Sequence, residues 1–71
     1  MTYEELKTLC QGFSDDDFPI VGKNEHGQNV TVKKGTCEGE TFYSTETTQD
    51  NGWHRINTYW EDGTYEEEYE R

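Results

Sequence analysis

The stretch from Trp53 to Glu70, WHRINTYWEDGTYEEEYE, reads as two β-strands folded back on each other. β-Branched and aromatic residues alternate with polar ones on both sides of Asp62-Gly63, a residue pair that two-residue hairpins favour because both central positions need positive φ. A two-residue turn there sets Trp60 opposite Tyr65, Thr58 opposite Glu67 and Ile56 opposite Tyr69. Trp60, Ile56, Tyr65 and Tyr69 then share one face, the natural core, with Glu67 falling among them. Arg55, Asn57, Tyr59 and Glu61 share the other face with Glu66, Glu68 and Glu70, and Arg55 faces Glu70.

The same pattern extends toward the N-terminus. Short runs at 18–23, 28–34, 40–48, 53–61 and 64–70 are separated by Asn24-Glu25-His26-Gly27, Gly35 to Gly39, Asp50-Asn51-Gly52 and Asp62-Gly63. Pro19, at the start of the first run, suits an edge strand because it donates no ladder hydrogen bond. Ahead of the sheet, Thr2 and Glu5 form a capping box and Leu6, Leu9, Cys10 and Phe13 recur at helical spacing. Gly12 is the expected left-handed stop. The predicted fold is therefore α+β. A single domain, 1–71, has a helix over 1–13 packed on a roughly five-stranded antiparallel β meander over 18–70.

Seventy-one residues lie near the lower limit for a chain that folds without a metal, a disulfide or a second subunit. Leu, Ile, Val and Phe together number ten, and the net charge is −10. Five Tyr and two Trp offset that shortage of aliphatic residues with large apolar surfaces. The expectation is a marginal fold with an aromatic core, completed by a partner or by a homodimeric second copy. Cys10 and Cys37 match no metal or redox spacing. No apolar run reaches the ~18 residues of a membrane helix, and no export segment opens the chain, so the expected location is cytoplasmic.

The charge is unevenly placed. Residues 1–37 hold six acids and four bases, whereas residues 38–71 hold ten acids and two bases. Glu66, Glu68 and Glu70 would form a straight row with carboxylates about 6.8 Å apart, twice the rise of a strand. Such a row keeps an edge strand from aggregating, and it also imitates a phosphate backbone. Direct nucleic-acid binding is disfavoured, because it relies on Lys and Arg neutralising phosphates.

Catalytic chemistry has no foothold in the sequence. His26 falls in a turn and His54 at a strand start, neither beside a nucleophile motif. Asp15-Asp16-Asp17 lacks the spacing of a calcium loop and reads as a polar turn. No phosphate-cradling loop or dinucleotide fingerprint occurs. No catalytic residue, metal ligand or cofactor is assigned.

Aromatic residues among acids suit a binding surface, since aromatics anchor and charge steers. Tyr59 lies on the acidic face in this register. Phe42 joins it opposite Glu61 if Asn51-Gly52 is a two-residue turn; a three-residue turn, Asp50-Asn51-Gly52, reverses the parity and sends Phe42 into the core. The expected contact residues are Glu61, Asp62, Glu66, Glu68, Glu70, Tyr59 and Phe42.

In size, charge and architecture the chain resembles small acidic phage-encoded inhibitors, the DNA-mimic and anti-CRISPR proteins. That resemblance implies a non-catalytic protein, acting in the host cytoplasm, that blocks the basic groove of a nucleic-acid-binding enzyme or effector complex. The alternative is an accessory interaction domain, dimeric or not, whose acidity keeps it soluble. A metal-binding protein ranks third.

Overall fold

Three of the four hairpins are closed by the same device. In a computed structural model describing residues 2–71, the loops Glu25-His26-Gly27, Asp50-Asn51-Gly52 and Glu61-Asp62-Gly63 each place a left-handed glycine last, with φ of 77°, 88° and 94°. Each is bracketed by two backbone hydrogen bonds. Trp60 N donates to Thr64 O at 2.9 Å and Gly63 N to Trp60 O at 3.0 Å. The pairs Gln49–Trp53 and Asn24–Gln28 repeat that pattern. These are three-residue hairpins, a turn followed by one αL residue. Glu38-Gly39 alone forms a two-residue loop with both residues at positive φ, 53° and 83°, between the paired Cys37 and Glu40.

The hairpins join five antiparallel strands in sequential order: β1 (Ile20–Lys23), β2 (Asn29–Cys37), β3 (Glu40–Thr48), β4 (His54–Trp60) and β5 (Tyr65–Glu70). The expected α+β meander is present. The expected register of its last hairpin is not. Asp62 stays out of the left-handed region, so the loop takes three residues and pairs Tyr59 with Tyr65, Thr58 with Glu66 and Ile56 with Glu68. A slip of one residue turns every side chain of β4 to the other side of the sheet. Trp60 and Ile56 leave the expected core, and Tyr59 enters it.

Helix α1 spans Tyr3–Leu9, shorter than the 1–13 expected. Thr2 caps it, its Oγ1 accepting from Glu5 N at 3.2 Å. The return half of the expected box differs, because Thr2 Oγ1 itself donates to Glu5 Oε1 at 3.3 Å. Gly12 is not left-handed. The helix instead tightens at its end, with Gln11 N bonded to Thr8 O and Phe13 N to Cys10 O, each three residues back. Those bonds carry Phe13 off the helical spiral, and Leu9 sits nearly a quarter-turn from the buried line. Phe13 and Leu9 are 49% and 64% exposed.

The buried line is Tyr3, Leu6 and Cys10, resting on Tyr43 and Tyr59, with Phe18, Ile20 and Val32 around them. The Tyr3 and Tyr43 rings are tilted with centroids 5.3 Å apart. A 3₁₀ turn, Asp15–Asp17, links helix to sheet on the same side. Asp17 Oδ2 accepts from Ser14 N at 2.8 Å and Asp15 pairs with Lys34 Nζ at 2.8 Å, so the acidic triplet is a tied-down turn.

Candidate protein-binding face

All side chains that meet the helix project from one side of the sheet. The other side carries no covering element among the described residues, and it is where the acidic row lies. Glu66, Glu68 and Glu70 alternate along β5, all exposed, opposite Thr58, Ile56 and His54 of β4. One strand further in, Ser44, Glu46 and Thr48 of β3 continue the face. His54 Nδ1 stands 3.6 Å from Glu46 Oε2 and 3.2 Å from Thr48 Oγ1.

At the end of this face nearest the last turn, Phe42 pairs with Trp60, ring centroids 4.9 Å apart and tilted by 49°. The ring of Phe42 extends over Gly35 on β2, where an added Cβ would stand 2.7 Å from Phe42 Cζ. Glycine is therefore what lets this half-buried aromatic pair lie down on the sheet. Beside it a shallow depression is lined by Cys37, Glu38, Glu40, Trp60, Thr64 and Glu66. Glu40 is half-buried there; loss of solvent, then the nearby Asp62 and Glu61 carboxylates, push its carboxyl up. Asp62 is held down by hydrogen bonds from Thr64, whose amide donates to its Oδ1 at 2.8 Å.

The expected contact residues divide. Glu66, Glu68, Glu70 and Phe42 share the open face; Phe42 does so because both the Asp50 and the Glu61 loops take three residues, and the two changes of parity cancel. Glu61 and Asp62 are exposed in the turn at its end, Glu61 N donating to Thr41 O at 3.0 Å. Tyr59 does not belong to this face: it is 7% exposed on the helix side. The expected Arg55–Glu70 pair is replaced by His54 opposite Glu70, while Arg55 stands opposite Tyr69 with Nε buried and unpartnered among the described residues. Trp60, Ile56, Glu40 and Glu46 were missed. Their place follows from the three-residue loops that end in Gly52 and Gly63, a form that turn composition allows equally with the two-residue one.

Two lysines project from this face, Lys23 on β1 and Lys33 on β2. Lys33 is three strand spacings, about 14 Å, from β5. Charge therefore runs across the sheet from basic to acidic. Among the described residues, no three His, Cys, Asp or Glu side chains gather as a metal site. Cys10 and Cys37 are free thiols, the first buried and pushed up in pKa by that burial, the second exposed. Among the described residues, no helix is long and apolar enough to cross a membrane. Comparison with known proteins adds no relative: no family model, curated protein or solved structure matches the chain.

Proposed function

We propose that this chain is a non-catalytic, protein-binding inhibitor whose open sheet face occupies the basic nucleic-acid-binding surface of a partner, as DNA-mimic and anti-CRISPR proteins do. The observation that carries this reading is the row Glu66, Glu68 and Glu70 on the uncovered face that also bears the Phe42–Trp60 pair. A regular line of carboxylates offers a basic groove the charge sequence of a phosphate strand. The aromatic pair supplies the apolar anchor that charge alone lacks. Complementary charge would speed encounter and fix register.

The exposed position of the same glutamates on an edge strand favours a second reading, an accessory domain whose acidic edge prevents self-association. The two separate by experiment. Immobilised wild type and a Glu66→Gln, Glu68→Gln, Glu70→Gln variant are presented to bacterial lysate at low and high salt, with duplex DNA or RNA as competitor. An inhibitor of this kind captures a nucleic-acid-binding protein at low salt, releases it to salt or competitor, and loses at least about tenfold in capture when the row is neutralised. Capture indifferent to salt, competitor and the three substitutions discards the mimicry reading.

A further inference from the structure

The phase of the β4–β5 ladder determines what the edge of β5 offers to a partner. Trp60 N donates to Thr64 O, so Trp60 and Thr64 form a hydrogen-bonded pair. Antiparallel pairs alternate between bonded and non-bonded. Glu66, Glu68 and Glu70 therefore turn their backbone N–H and C=O toward β4, while Tyr65, Glu67 and Tyr69 turn theirs away from the sheet. Every residue of β5 is exposed, and β5 is the last strand of the sheet. The opposite edge, β1, is only four residues long and is entered through Pro19, which has no N–H to offer.

We propose that the outer edge of β5 receives an extended segment of a partner protein carrying Lys or Arg at alternate positions, adding a sixth strand. This deepens the acidic-face reading above and rests on it. Charge selects the occupant. A second copy docked antiparallel on this edge would set one glutamate row against another, and like charges directly opposite are destabilising. In an incoming antiparallel strand, residues facing Glu66, Glu68 and Glu70 take the non-bonded positions, where facing Cα atoms are only about 4.5 Å apart. Basic side chains there meet the carboxylates on the same face. The residues between them exchange main-chain hydrogen bonds with Tyr65, Glu67 and Tyr69.

The test uses two peptides of equal composition and charge, one alternating Lys and Thr, the other with the lysines in one block and the threonines in another. Each is titrated into the wild-type chain by calorimetry, with amide exchange followed by NMR. The alternating peptide should bind at least about tenfold more tightly and slow exchange at Tyr65, Glu67 and Tyr69. N-methylation at its Thr positions should abolish binding, and at its Lys positions should spare it. Equal affinities, unprotected amides or indifference to N-methylation overturn the proposal. Glu67→Pro blocks the edge and keeps the row. If this variant still captures a nucleic-acid-binding protein in a salt- and DNA-sensitive way, strand addition falls and the acidic-face reading stands. Indifference to the triple Gln change removes both. Should Glu67→Pro fail to fold, the methylated peptides on the wild type decide alone.

Discussion

Glu67 faces the helix side of the sheet, unlike its neighbours Glu66 and Glu68, and two phenols keep it there. Tyr69 Oη donates to its Oε1 at 2.6 Å. Tyr65 Oη lies 3.1 Å from both Glu67 Oε2 and Asn57 Oδ1, and its single proton serves one of them at a time. Hydrogen bonds from Tyr69 and then Tyr65 favour the ionised carboxylate and lower its pKa. A folded-state pKa below the unfolded one stabilises above the unfolded value, about 4.3 for Glu, and that stabilisation is lost as pH falls through the folded value. Denaturant titrations from pH 7 to 3 should therefore show an acid limb that Glu67→Gln makes shallower. Glu40 acts in the opposite sense: its raised pKa favours the fold at low pH and loses that contribution as pH rises. Glu38 offers a second handle. Its φ of 53° is costly for a residue with a long side chain. Asn tolerates that conformation, so Glu38→Asn should stabilise by about 1 kcal/mol and raise the melting temperature by about 4–8 °C.

Strands and helix type were readable from alternation and helical spacing; the register of the last hairpin was not. Asp62-Gly63 and Asn51-Gly52 have the composition of two-residue turns, yet the three-residue form satisfies the same glycine while keeping the preceding residue out of the left-handed region. It also lets the Asn or Asp side chain bond forward, as Asn51 Oδ1 does to Trp53 N and Asp62 Oδ1 to Thr64 N. Composition favours both forms, and only packing of the tyrosines on the helix chooses between them. The helix end was misplaced because Leu9 and Phe13 extend the apolar spacing beyond the last buried turn. Tyr3 was overlooked as the residue that starts the buried line. Thr2→Ala removes the cap bond to Glu5 and should cost about 1 kcal/mol. Thermal melting would read that loss. A thiol reagent gives a second check, because Cys10, at the end of the helix, is buried against the core and, with exposed Cys37 as the fast reference, should react faster once the helix loosens.

The core is thin for the sheet it supports: among the described residues five apolar side chains are buried, four of them tyrosine or leucine from or beneath one seven-residue helix. With a net charge of −10 the folded state also works against self-repulsion. Replacing Glu66, Glu68 and Glu70 by Gln should raise the melting temperature at low ionic strength, and the gain should shrink as salt screens the wild type. An unchanged melting point at low salt would show that the row costs the fold nothing. The row itself was visible in the sequence because alternation along one strand needs no partner to be read. Its neighbours were not visible, since they depend on the register of another strand. Tyr59 was exchanged for Trp60 for that reason alone.

The placement of Lys23 and Lys33 at one side of the open face and the glutamates at the other gives the sheet a lateral electric dipole. A partner with a basic surface exerts a torque on such a body before any atoms touch, turning the β5 side forward while the β1 side trails. Orientation is thus selected during diffusion, which shortens the search among unproductive encounters. Lys33→Glu would weaken this alignment although it lies outside the contact row. Stopped-flow mixing with a basic partner at low salt should then show slower association for Lys33→Glu than for Lys7→Glu, a helix substitution with the same change in net charge, at equal dissociation rates. If the open face is the binding surface proposed above, a basic partner meets it already facing the right way.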